Sequence, residues 1–169
     1  VRKEIAEGTK GHVNVGFIGA KYFFEALARH GMNDLAYEAM NKTDFPSYGH
    51  WIAQGATTTW EQWDGGNSRN HPMMGSGLTW FSRNLAGVQY DETQPGYRHV
   101  IIRPQVPEQM EFVSYSKQTP YGKVSSELRR KNGQTTVTVT IPVSCTATLV
   151  LPIGTKELGQ GTYKFIYAE

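Results

Sequence analysis

The chain has 169 residues, 38% hydrophobic and 19% charged, with a net charge of +2 at neutral pH. That length suits one domain or one and a half small ones, and the charge is too small to argue for nucleic acid or an anionic membrane surface as the partner. One cysteine excludes an internal disulfide, one cysteine with five scattered histidines gives no metal framework, and no run of eighteen apolar residues would span a bilayer.

Residues 1–16 are polar and aperiodic. Ile18, Tyr22, Phe23, Ala26 and Leu27 then recur at helical spacing, and Gly31 follows Arg29 and His30 as a C-terminal glycine follows cations. The expectation is a helix over residues 19–30, buried on that stripe. Asn33 reads as the N-cap of a second helix, with Asp34 at its electropositive end and Leu35, Ala36, Ala39 and Met40 inside. Two helices joined by residues 31–33 form an αα-hairpin, the unit of bundles and (α/α) barrels.

Residues 43–69 show neither helical nor strand period. A loop longer than about 15 residues in a compact domain is functional or disordered. Phe45, Tyr48, Trp51, Trp60 and Trp63 argue against disorder, so the expectation is an ordered functional loop. Asn70 or His71 then caps a third helix, Pro72 suits its first turn, Met74, Leu78, Phe81 and Leu85 form its stripe, and Gly87 ends it.

From Tyr97 onward strand signals dominate, over residues 99–103, 110–119, 123–130, 136–141, 146–151 and 163–168. Asn132-Gly133 is the strongest hairpin turn in the chain, and alternation of Val137, Val139 and Ile141 with threonines marks a half-buried strand. Short strands at this spacing predict a β-sandwich. The fold class is α+β by segment: helices in residues 1–94, then an antiparallel β-sandwich in residues 95–169. Three helices cannot build a core around so long a loop, so they read as the last part of a larger helical domain. Their apolar stripes would be covered by the rest of that domain, or by self-association with a second copy. Cys145, in an apolar strand region, reads as a small buried hydrophobe.

Chemistry concentrates in Ala56-Thr57-Thr58-Thr59-Trp60-Glu61-Gln62-Trp63-Asp64. Glu61 can act as a general base on water, or serve as a structural charge. Asp64 can pair with it, since glycosidases use two carboxylates about 5–5.5 Å apart for retention and about 6.5–9.5 Å apart for inversion. Asp64 before Gly65-Gly66 reads better as a turn residue. His71 either contacts a sugar hydroxyl or caps the third helix. Trp60 and Trp63 offer faces on which a sugar ring can stack. No phosphate-binding loop, dinucleotide fingerprint or serine nucleophile elbow is present, and no cofactor is implied.

The runs Thr43-Asp44-Phe45-Pro46-Ser47-Tyr48-Gly49, Gly55-Ala56-Thr57-Thr58-Thr59-Trp60-Glu61-Gln62-Trp63 and Asn70-His71-Pro72-Met73-Met74-Gly75 together resemble the bacterial α-L-rhamnosidases of glycoside hydrolase family 78. Gly16-Phe17-Ile18-Gly19 is similar to the start of a barrel helix in that family, and the β-rich tail to its C-terminal sandwich. The resemblance implies the last helices of an (α/α)6 catalytic barrel and an inverting hydrolase that releases terminal L-rhamnose from glycosides or polysaccharides. It implies that Glu61 is the general base, that His71 contacts the rhamnose, and that Trp60 and Trp63 wall the pocket. It places the general acid upstream, so this chain alone is expected to be inactive. Tyr48 stands where many members carry Trp, and the loop from Asp64 to Asn70 is short. Two rival readings stay open: a non-catalytic carbohydrate-binding or structural module, and another inverting (α/α)6 glycosidase such as a fucosidase or glucosidase relative.

Overall fold

The computed structural model describes residues 2–168. The chain divides after Trp80 into two units. The first is helical: α1 (Phe17–Arg29), α2 (Asn33–Met40), α3 (Tyr48–Ala53) and α4 (Ser76–Trp80), the last entered through a 3-10 turn at Pro72–Gly75. The second opens on one π-type turn, Phe81–Leu85, and continues in eight strands.

The αα-hairpin forms as the sequence suggests, but α1 buries only part of the expected stripe. Leu27 lies inside as expected, together with Ala20, Phe24 and Ala28, whereas Ile18 is 65% exposed and Tyr22 is also exposed. Helix α1 is apolar on two sides, and the buried face is rotated away from Ile18 and Tyr22. Phe24 wins the interior because its ring lies 5.6 Å from that of buried Trp80 and 5.2 Å from that of Phe23. In the third helical run Met74 and Leu85 are buried as expected, while Leu78 is 73% exposed.

Asn33 is not a cap. It lies inside α2, buried, and its Oδ1 accepts a hydrogen bond from Trp80 Nε1 at 2.8 Å. A buried indole N–H needs such an acceptor, and that need outranks the capping preference of asparagine. The loop expected over residues 43–69 contains α3, capped by Ser47, whose Oγ accepts from the His50 N–H at 3.0 Å.

In the second unit, β1 (Val88–Tyr90), β2 (His99–Ile102), β6 (Thr146–Leu151) and β7 (Gly154–Leu158) form one sheet in the order β1-β2-β6-β7. Strands β3 (Phe112–Thr119), β4 (Gly122–Lys131), β5 (Gln134–Ile141) and β8 (Gly161–Ala168) form the other, wholly antiparallel and in that order. In the first sheet β2 and β6 run parallel; its other pairs are antiparallel. Val100, Ile102, Ala147 and Leu149 from one sheet meet Val124, Leu128, Val137 and Val139 from the other in a single core, with buried Cys145 among them. The period of two along each strand makes this possible, since it sends alternate side chains to one face.

The Asn132-Gly133 turn adopts positive φ at both residues, 53° and 71°, as a tight hairpin between β4 and β5 requires. Gly87, just before β1, has φ 75°, and a Cβ there would lie 2.1 Å from the carbonyl carbon of Arg103. Only glycine fits that approach. Arg130 holds the loop before β3 by donating to the carbonyls of Val106 and Met110, at 2.9 and 3.0 Å, and to that of Pro107 at 2.5 Å.

Candidate active site

Three tryptophans and a tyrosine form the base of the site. Trp51, on α3, stacks on Trp63 at 4.5 Å and lies 5.8 Å from Trp60. Tyr48 meets Trp51 and Trp63 edge-on at 5.5 and 5.3 Å. The polar atoms of Trp51, Trp63 and Tyr48 are all used. Trp51 Nε1 donates to the Trp63 carbonyl at 2.9 Å, Trp63 Nε1 to the Val15 carbonyl at 2.9 Å, and the Tyr48 hydroxyl to the Met74 carbonyl at 2.6 Å. Burial pushes the Tyr48 phenol up to about 12, so it keeps its proton and remains a donor.

The segment carrying Glu61 folds back on itself. The Glu61 N–H donates to the Ser68 carbonyl and the His71 N–H to the Thr59 carbonyl, both at 2.8 Å. Thr59 Oγ1 donates to the His71 carbonyl at 2.8 Å, and Thr58 Oγ1 to that of Arg69. These cross-links bring residues 58–61 alongside residues 68–71, and so bring Glu61 and His71 together. At the tip, Asp64 Oδ1 accepts from the Gly66 N–H at 2.9 Å, an Asx turn, and Asp64 is exposed. Arg69 closes the outer side: its guanidinium lies 4.6 Å from the centre of the Trp60 ring and its Nε donates to the Gly65 carbonyl at 3.2 Å. Gly65 (φ 83°) allows this, because a Cβ there would come within 2.8 Å of Trp60.

Glu61 and His71 are part-exposed, at 25% and 22% of their side-chain surface. Glu61 Oε2 lies 3.8 Å from His71 Nδ1 and accepts from the Ser68 N–H at 3.3 Å, while Oε1 accepts from Asn67 Nδ2 at 3.4 Å. The His71 ring packs on Phe17 at 5.1 Å. Its Nε2 is buried and has no hydrogen-bond partner among the described residues. A buried polar atom left unpaired costs about 1–3 kcal/mol, so Nε2 is suited to a hydrogen bond with a bound molecule. A carboxylate held by two donors beside such a histidine can accept a proton while its neighbour fixes a hydroxyl.

Trp60 and Trp63 are 6% and 9% exposed and pack within the aromatic cluster. Sequence reading missed Phe17 and Asn67. The one available signal for Asn67 is its place after two glycines, since asparagine tolerates the left-handed backbone it adopts here (φ 56°). Among the described residues no cluster of histidine, cysteine and carboxylates could hold a metal ion.

The family model for the bacterial alpha-L-rhamnosidase 6 hairpin glycosidase domain matches residues 2–85, and that for the bacterial alpha-L-rhamnosidase C-terminal domain matches residues 87–165. An alpha-L-rhamnosidase of Formosa agariphila is 33% identical over 155 residues, 88% of this chain and 16% of that protein. One of Streptomyces avermitilis is 31% identical over 177 residues, 98% of this chain and 17% of that protein. The chain thus spans about a sixth of the length of these relatives. Among solved structures, the alpha-L-rhamnosidase of Streptomyces avermitilis complexed with L-rhamnose matches with a TM-score of 0.86 at 27% identity, over 96% of this chain and 19% of that one. The Aspergillus terreus enzyme matches at 0.87 and 28% identity, over 96% of this chain and 20% of that one. The Dictyoglumus thermophilum enzyme matches at 0.92 and 24% identity, over 99% and 22%, a likeness of fold. The chain belongs to the bacterial α-L-rhamnosidase family, its helices matching the six-hairpin glycosidase domain and its strands the C-terminal domain.

Proposed function

We propose that this chain is the C-terminal segment of an inverting glycoside hydrolase that releases terminal α-L-rhamnose from glycosides or polysaccharides. The helical unit supplies the end of an (α/α)6 catalytic barrel, and the strand unit its sandwich, which begins with β1 (Val88–Tyr90), ahead of the 94/95 boundary expected from the sequence. Glu61 is the general base. It takes a proton from water, whose oxygen attacks the anomeric carbon on the face opposite the leaving group. The departing glycosidic oxygen receives its proton from a general acid in the upstream barrel. His71 holds a rhamnose hydroxyl through Nε2. Trp60 and Trp63 border the pocket beside Glu61, and their packing on Trp51 fixes the Glu61 segment in place.

The observation that carries this reading is the pairing of part-exposed Glu61 with His71, whose buried Nε2 has no hydrogen-bond partner among the described residues. The exposed Ile18, Tyr22, Ile52 and Leu78 support the wider barrel, because further helices would cover them. The test is a sugar-release assay on nitrophenyl glycosides of L-rhamnose, L-fucose and D-glucose. The full-length protein is expected to turn over the α-L-rhamnoside preferentially, and the 169-residue chain alone to show no turnover. Preference for another sugar, or a chain as active as the full-length protein, would refute the assignment.

A further inference from the structure

We infer that Asn67 is a positioning residue for Glu61, locked into a left-handed backbone so that its amide reaches the carboxylate. The inference rests on Glu61 being the base. Asn67 has φ 56°, a conformation disfavoured for residues with a Cβ but tolerated by asparagine. The turn places Asn67 Nδ2 3.4 Å from Glu61 Oε1, while the next residue, Ser68, presents its backbone N–H to Oε2 at 3.3 Å. The two oxygens are thus addressed separately, one by a side chain and one by the main chain. The Ser68 carbonyl in turn accepts from the Glu61 N–H at 2.8 Å, so the same short loop grips Glu61 at both ends.

A base must present one lone pair to its water, and a carboxylate free to rotate about its last bond spends little time in that orientation. Two donors on different oxygens fix the plane of the group. The donors are unequal in one respect. The Ser68 N–H belongs to the main chain and survives any side-chain change, whereas the Asn67 amide can be removed without touching it. The charged or titratable side chains around this arrangement are His71, Arg69 and Asp64, the last held by the Gly66 N–H. His71 Nδ1 stands 3.8 Å from Oε2, and the Arg69 guanidinium is committed to the Trp60 face. Asn67 therefore supplies the only side-chain hydrogen bond to Glu61 among the described residues.

Two substitutions separate the amide from the backbone. Asn67→Gly keeps the positive φ and deletes the donor. Asn67→Asp keeps shape and tolerance of the left-handed region, but turns an acceptor toward Glu61. Both are made in the full-length protein beside Glu61→Gln, with kcat, KM and melting temperature measured on the nitrophenyl α-L-rhamnoside. The expected result is a fall in kcat of about 10-fold for Asn67→Gly and more for Asn67→Asp, with KM within about twofold and the melting temperature unchanged. A merely structural asparagine would leave kcat intact in both, since glycine and aspartate each accept the turn. If Glu61→Gln abolishes turnover while both Asn67 variants keep full kcat, the inference is overturned and the base assignment stands. If Glu61→Gln itself retains a normal rate, the base assignment falls, and this inference with it.

Discussion

Replacing Glu61 with glutamine in the full-length protein is expected to lower kcat by about 10²–10⁴-fold, the range over which a positioned base contributes to proton transfer. The substitution is nearly isosteric. Glutamine keeps one acceptor oxygen, for either the Ser68 N–H or Asn67 Nδ2, and turns its amide group toward the other donor. The main-chain bond from the residue-61 N–H to the Ser68 carbonyl is untouched, so the loop should hold its shape. What is lost is the capacity to take a proton from water. KM should therefore change little, because an interaction that matters only in the transition state leaves substrate binding alone. Steady-state kinetics on the nitrophenyl α-L-rhamnoside separates these outcomes. A raised KM with normal kcat would make Glu61 a binding residue.

The second large effect concerns the tryptophan beneath that loop. Trp51→Ala removes a ring that is 2% exposed, stacks on Trp63 and neighbours Trp60. Loss of so large a buried aromatic costs about 3–5 kcal/mol through lost transfer energy and the cavity left behind. Trp51→Phe keeps most of the apolar volume but leaves the Trp63 carbonyl without its 2.9 Å donor, at a cost of about 1–3 kcal/mol. Urea unfolding of the full-length protein, followed by circular dichroism, should rank wild type above Trp51→Phe above Trp51→Ala. Catalysis should follow the same order, because Trp51 and its neighbours fix the segment that carries Glu61. Equal stability of all three would mean that the aromatic cluster does not support the site.

These two effects differ in how far the sequence could announce them. Glu61 stood out from local information alone, between two tryptophans in a run with a family resemblance. The part played by Trp51 depends on α3, a six-residue helix hidden in a stretch with no period of its own, though Ser47 carries its capping signal. Phe17 under His71, and the Val15 carbonyl at Trp63, are contacts across long stretches of chain, which no window of sequence contains. The strands were more legible. Thr136 to Ile141 alternates cleanly, and Asn132-Gly133 fixes the register of its hairpin, with Leu128 opposite Val137. Strand β1 has only three residues, and β7 reads Gly-Thr-Lys-Glu-Leu with four of its five residues exposed, so neither shows alternation of apolar and polar positions. Helix α1 was legible in extent but only partly in orientation: Leu27 is buried as expected, while Ile18 and Tyr22 are exposed, since an apolar face that stays exposed has the same period as one that is buried.

The role proposed for Glu61 is to activate water, and no other step of the reaction is assigned to it. Azide tests this most directly, because it is a nucleophile that requires no base. In a full-length Glu61→Ala variant, hydrolysis of an activated α-L-rhamnoside should be slow, and added azide should restore turnover. The product should be a rhamnosyl azide of inverted anomeric configuration, identified by proton NMR. Slow hydrolysis that azide leaves unchanged, or a rhamnosyl azide of retained configuration, would remove Glu61 from the role of base.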